Sequence, residues 1–144
     1  MIRPARPADA EAITALEDEA FGADAWSQAQ VEAELNGATR RVLAAEADGQ
    51  LVGYGAIACA EDVADLTRIV VSSSHRRSGV ASELLAALHD AARGAGAMRM
   101  LLEVAETNVV ARAFYEARGY VEISVRRGYY RNGDDAVVLA RALG

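Results

Sequence analysis

Arg76-Arg77-Ser78-Gly79-Val80-Ala81 is the stretch of this chain best suited to hold an anion. It follows an apolar run, Ile69-Val70-Val71, and a serine turn, Ser72-Ser73-Ser74, and it opens a helix. Up to about four N–H groups at a helix start have no internal partner, and the helix dipole places roughly half a positive charge there. Gly79 lets the backbone approach closely, and Ala81 is too small to obstruct it. Two arginines add fixed charge. A pyrophosphate needs all three: free amides, positive charge and a helix N-terminus. The competing reading is a solvated basic turn ahead of a helix. The spacing is not that of a Walker loop, because neither Lys nor Ser/Thr follows Gly79 at the required offset.

Glu103 ends an otherwise apolar run, Met100-Leu101-Leu102-Glu103-Val104. A carboxylate there is costly unless solvated or paired, so it is either the outward-facing residue of an alternating strand or a functional group. Tyr115 lies seven residues beyond Asn108, beside Phe114, as a core aromatic or as a proton donor. Asn108 precedes Val109-Val110-Ala111 and suits an N-cap. Trp26, Tyr129 and Tyr130 are amphipathic rings in loop-like segments, placed either to frame a pocket mouth or to pack at a sheet edge.

The order of elements that must position these groups reads strand, helix, helix, three strands, helix, strand, helix, two strands. Ile2-Arg3 starts a short strand ended by Pro4 and Pro7. Asp9 is expected to cap a helix with Ile13, Leu16 and Ala20 on one face, broken at Phe21-Gly22. Ser27 and Gln30 have capping-box spacing for a second helix, which Asn36-Gly37 ends. Strands are expected over 40–47, 50–60 and 63–71, the first two joined by the hairpin signal Asp48-Gly49. A long helix runs from about Gly79 to Arg93 with Val80, Leu84, Leu88 and Ala91 on one stripe, stopped by Gly94 and Gly96. A buried strand follows over 98–104, then a helix closed by Gly119. Residues 120–125 and 136–140 form a final hairpin across Asn132-Gly133. Parallel and antiparallel strands with helices on both faces make one α/β (α+β) domain over residues 1–144.

Composition sets the remaining bounds. At 144 residues, 52% hydrophobic and 25% charged, the chain reads as one soluble globular domain. No apolar run approaches the roughly 20 residues a membrane span needs, and the first residues lack the features of a targeting segment. The lone Cys59 fits a reducing cytosol and a buried, inert thiol. A net charge of −6 argues against direct nucleic-acid contact and suits cationic acceptors such as amines or basic peptides. His75 and His89 have no neighbouring ligand at metal spacing, so no metal is expected.

Strand, Arg-x-x-Gly-x-Ala, then helix resembles the acetyl-coenzyme A signature of the GNAT N-acetyltransferases, and the element order is similar to theirs over essentially the whole chain. The likeness is closer to the RimI subgroup, which acetylates the N-terminal alanine of a small-subunit ribosomal protein. It is carried by Leu16-Glu17, Phe21 with Trp26-Ser27, and Leu102-Glu103-Val104. Asn108 with Ala111, Tyr115 and Gly119-Tyr120 extends it, as do Arg126-Arg127-Gly128-Tyr129-Tyr130 and Asp135-Ala136. The resemblance implies a central mixed, mostly antiparallel twisted sheet and a cytoplasmic enzyme, monomeric or weakly dimeric. It implies transfer of acetyl from acetyl-coenzyme A to a protein N-terminus by direct attack in a ternary complex. A GNAT acting on a small amine, or a non-catalytic acyl-coenzyme A sensor, are the alternatives.

Residue by residue, the resemblance has Ile69, Val70 and Val71 offering main-chain hydrogen bonds to the pantetheine arm. Arg76, Arg77, Ser78, Gly79, Val80, Ala81 and Ser82 would hold the pyrophosphate, and Asn108 would meet the cofactor further along. Glu103 would be the general base and Tyr115 the acid that protonates the departing thiolate. Trp26, Tyr129 and Tyr130 would lie on the acceptor side. An α-amine, with a pKa of about 7.7–8.0, is neutral at pH 7 for roughly 1 kcal/mol, whereas a lysine near 10.4 needs about 4–5 kcal/mol. A carboxylate base therefore matches an α-amine better. The chain departs from the family pattern in Ser72-Ser73-Ser74, in Ala81, and in Gly22 to Ala25, which stand where a single proline is usual. The last departure bears on acceptor choice.

Overall fold

A computed structural model describes residues 1–144. The elements are β1 (Ile2–Pro4), α1 (Ala10–Phe21), α2 (Gln28–Asn36), β2 (Arg40–Ala47), β3 (Gln50–Ala60), β4 (Val63–Val71), α3 (Val80–Gly94), β5 (Arg99–Ala105), α4 (Val109–Glu116), β6 (Val121–Arg126) and β7 (Ala136–Ala142). They build one seven-stranded sheet in the order β1-β2-β3-β4-β5-β7-β6. The β4–β5 pair is parallel and every other pair is antiparallel. This is the mixed, mostly antiparallel sheet that the resemblance implied.

Local chemistry explains most boundaries. Asp48 and Gly49 both take positive φ, at 52° and 76°, as a two-residue primed turn between β2 and β3 requires. Ser27 and Gln30 cap α2 reciprocally, at 2.8 and 3.2 Å. The Asn108 side chain accepts from the Ala111 amide at 3.1 Å and starts α4.

Three expectations are corrected. Asp9 does not cap α1 with its side chain; its carboxylate takes the Arg3 guanidinium at 2.8 and 2.9 Å and the Arg6 amide at 2.7 Å. An arginine fork offers more than one orphan amide, and it holds the Asp9 carboxyl down at about 2. Met98 is exposed and precedes β5 rather than lying in a buried strand. Cys59 is half-buried against the core, not enclosed.

Each sheet face carries its own core. On one, Ala10, Ile13 and Leu16 of α1 and Val31 of α2 pack on Tyr54, Ala56 and Val70. On the other, Leu85, Leu88 and Ala92 of α3 pack on Ile57, Leu66, Met100, Leu102 and Leu139. Burying each Val, Leu, Ile or Met side chain among these contributes roughly 1.5–3 kcal/mol. Gly55 admits α3 to this face, because a Cβ there would sit 2.6 Å from Leu88 Cδ1. No helix is long and apolar enough to cross a membrane.

Candidate active site

The site exists because β4 and β5 part company. They pair only through Val63↔Arg99, Ala64↔Met100 and Asp65↔Leu101. Just beyond, Thr67 is an extra residue in β4, since Leu66 faces Ile57 while Arg68 faces Ala56. Its hydroxyl donates to the Ala56 carbonyl at 3.0 Å. Such a bulge bends and twists its strand, here away from β5. A cavity of about 740 Å³ opens in the gap, with Leu66 to Val71 on one wall and Leu102 to Ala105 on the other. One edge of β4 stays paired to β3 as far as Val71, so the opposite edge is turned to the cavity.

The loop between β4 and α3 adjoins the cavity through Arg76 and Ala81. Gly79 lies at φ 87°, with no heavy atom within 4 Å of where a Cβ would be, and Arg77 also takes positive φ, at 63°. No side chain caps α3, so the amides of its first turn face outward unpaired. The Ser78 hydroxyl donates to the His75 carbonyl, which fixes the loop from within. Arg76 and Ala81 line the cavity, and Arg76 Nε reaches the Val71 carbonyl at 3.4 Å. Val80 begins the helix. The Ser82 hydroxyl accepts from Arg118 at 2.5 Å, and Ser82 itself does not line the cavity.

Along the side, Glu103, Asn108 and Tyr115 come together on the same cavity. Glu103 is partly exposed and faces Arg126 Nε at 3.6 Å. Asn108 spends Oδ1 on its cap. The Tyr115 ring meets Phe114 and Tyr120 edge-on, with centroids 5.1 and 5.5 Å away. Burial pushes its phenol up to about 12. Behind it, the Tyr120 hydroxyl meets His89 Nε2 at 2.8 Å, and Arg141 donates to His89 Nδ1 at 2.6 Å. An arginine can only donate, so Nδ1 is the acceptor and Nε2 carries the proton of a neutral imidazole. Burial, and then the charges of Arg141 and Arg93, lower His89 to about 4.

At the far end, Phe21 and Tyr130 line the cavity whereas Trp26 and Tyr129 do not. Burial, then Tyr129 and Glu103, push the Tyr130 phenol up. Trp26 instead stacks on Arg68, whose Cζ is 4.5 Å from its ring centroid, and Tyr129 packs edge-on to Tyr130 at 5.0 Å. The loops on either side are tied by Arg131 and Asp24 at 3.2 Å.

The Acetyltransferase (GNAT) family profile matches residues 10–120. This chain belongs to the GNAT family. It is 33% identical over 143 residues, 95% of its length, to the N-alpha-acetyltransferase RimI of Mycobacterium tuberculosis, covering 89% of that protein. It is 32% identical over 96 residues to the [ribosomal protein bS18]-alanine N-acetyltransferase of Escherichia coli, covering 65% of each. The crystal structure of the Escherichia coli ribosomal-protein-S18-alanine N-acetyltransferase superposes with a TM-score of 0.91 at 26% identity, over 100% of this chain and 94% of that one. A coenzyme A complex of an aminoglycoside 6'-N-acetyltransferase shares the fold, with a TM-score of 0.88 at 17% identity over 100% and 97% of the two chains. This GNAT is an acetyl-coenzyme A-dependent N-acetyltransferase with acetyl-coenzyme A as co-substrate. The open Gly79 loop, the uncapped α3 and the unpaired β4 edge fit such a molecule: amides for a diphosphate, then a strand edge for an amide-bearing arm. No group of three or more His, Cys, Asp or Glu side chains is gathered to hold a metal.

Sequence reasoning missed Glu17, Phe21 and Arg68 as parts of this GNAT site. A signal was present for Arg68, a cation in the apolar run Leu66 to Val71, by the same logic that singled out Glu103.

Proposed function

We propose that this GNAT is a protein N-terminal α-amino acetyltransferase, acting in the cytoplasm as a monomer or weak dimer on the N-terminal alanine of a small-subunit ribosomal protein or on other protein N-termini. One observation carries the reading: a single cavity gathers Arg76 and Ala81 of the anion loop with Glu103 and Tyr115, in a chain similar to N-α-acetyltransferases over nearly its full length.

The amides from Arg77 to Ser82, with Arg76, hold the pyrophosphate of acetyl-coenzyme A, and the main chain of Ile69 to Val71 meets its pantetheine arm. Asn108 combines its cap with a cofactor contact through its free amide nitrogen. Glu103 takes a proton from the incoming ammonium, directly or through water, so that a neutral amine meets the thioester carbonyl carbon. The nitrogen adds to that carbon, and the tetrahedral intermediate then collapses: the C–S bond breaks and the nitrogen gives up its second surplus proton to water or to the departing sulfur, leaving an amide and coenzyme A. Tyr115 donates towards the departing sulfur. A phenol at about 12 is a weaker acid than a thiol near 8.5, so hydrogen bonding to the developing thiolate carries more of the effect than full proton transfer. Phe21 and Tyr130 form the acceptor wall, with Trp26 and Tyr129 packed behind them.

The test is incubation with acetyl-coenzyme A and a panel of alanine-starting and other N-terminal peptides beside polyamines, aminoglycosides and amino acids, scored by mass. Gain of one acetyl group at a peptide α-amine is the expected result. Turnover confined to small amines overturns the reading.

A further inference from the structure

Arg68 is tethered with unusual thoroughness for a residue of a cavity wall. Its Nε donates to Glu17 Oε2 at 3.2 Å, and Glu17 is 0% exposed. The other Glu17 oxygen takes the Trp26 amide at 2.9 Å, and the Tyr54 hydroxyl donates to Oε2 as well. The Arg68 guanidinium also lies over two rings, its Cζ 4.4 Å from the Phe21 centroid and 4.5 Å from that of Trp26. A buried carboxylate with three donors and a stacked guanidinium form a rigid unit, because neither side chain can rotate without leaving a charge unpaired. Yet Arg68 lines the cavity, its side chain is 22% exposed, and its hydrogen bond to the protein is made by Nε, leaving the Nη groups unused. The Tyr54 hydroxyl spends its one proton on Glu17.

We infer that Arg68 is a specificity-determining residue whose Nη edge hydrogen-bonds the carbonyl oxygen of the acceptor's first residue, selecting an amine that bears a carbonyl on its α-carbon. This rests on the N-terminal reading above and names the feature by which the site reads it. A protein N-terminus always carries that carbonyl, bonded directly to the α-carbon, whereas polyamines and aminoglycoside amines do not. The planar fork of arginine matches a fixed carbonyl oxygen better than a mobile ammonium would. Glu17 cancels the charge of Arg68, so the approaching amine is not repelled as it would be by an unpaired guanidinium. A site built to hydrogen-bond a substrate group rejects analogues lacking it more strongly than an apolar pocket does.

The experiment is a cycle between enzyme and substrate. An alanine-starting peptide is compared with the same peptide carrying a neutral trans-alkene in place of its first amide, on the wild type, on Arg68→Met, and on Glu17→Gln/Arg68→Met. The double variant removes both charges together and keeps the shape of the buried partner. The change in amine basicity between the peptides is common to all the enzymes and cancels. The wild type is expected to favour the amide peptide in kcat/KM by at least about tenfold beyond the preference of either variant, with the KM for acetyl-coenzyme A unchanged. An undiminished preference in both variants overturns the role of Arg68. So does a parallel rise in the acetyl-coenzyme A KM, which marks a purely structural part. Silence of the wild type on every peptide, with turnover of small amines, overturns the N-terminal reading itself.

Discussion

The two ends of the cavity are made by different means. The anion end is main chain from one contiguous stretch, Arg76 to Ser82, shaped by positive φ at Arg77 and Gly79 and by an uncapped helix. The acceptor end is side chains from distant segments held by pairs: Arg68 with Glu17, Arg126 with Glu103, and Arg131 with Asp24. On the proposed reading, backbone amides serve any diphosphate, which makes the first end generic to the cofactor, and side-chain pairs change with each substitution, which puts selectivity at the second. The region carrying the departure from Gly22 to Ala25 lies at this second end, and Asp24 within it makes the tie to Arg131.

The largest expected effect tests whether the chemistry divides in the same way. Glu103→Gln should lower kcat by about 10²–10⁴-fold with near-unchanged acetyl-coenzyme A affinity, measured by initial rates and calorimetry. Equal loss of both would merge the two ends into one structural unit. Next comes the support behind Tyr115. His89 is neutral when folded at about 4 but has an unfolded value of 6.5, so its contribution is full above 6.5 and is lost as pH falls through 4. Denaturant titrations from pH 7 to 4 should lose up to roughly 3 kcal/mol from this group, and His89→Gln should flatten that slope.

Tyr115→Phe should lower kcat by about tenfold, less than a well-matched acid would give, because burial has weakened the phenol as an acid. Gly79→Ala forces a side chain into left-handed backbone at roughly 1–2 kcal/mol. It should raise the acetyl-coenzyme A KM up to about tenfold and leave the peptide KM alone, which would sharpen the division directly. Smallest is Asp24→Ala: an exposed pair is worth little, so the peptide KM should shift less than about twofold, and the shift should vanish in high salt.

The same division explains what could be read without a structure. The bounds of β2, β3 and β4 and the reciprocal cap of α2 were legible, because turns and caps are written in residues a few positions apart. The failures turn on which partner a side chain finds. Asp9 was expected to cap a helix, yet Arg3, six residues earlier, claimed it. Trp26 was expected at the acceptor wall, yet it stands behind Arg68, which arrives from β4. Glu17 is fully buried only because Tyr54, Arg68 and Trp26 surround it.

Sequence by itself determined the anion loop, the element order and the candidacy of Glu103, Asn108 and Tyr115, since each depends on local spacing and on residue chemistry. Only the tertiary structure decided that β7 inserts between β5 and β6, and that a one-residue bulge at Thr67 parts β4 from β5. It alone decided which side chains meet in the resulting gap. Strand order and register are set by long-range packing of both sheet faces, and no window of the chain contains both partners of such a contact.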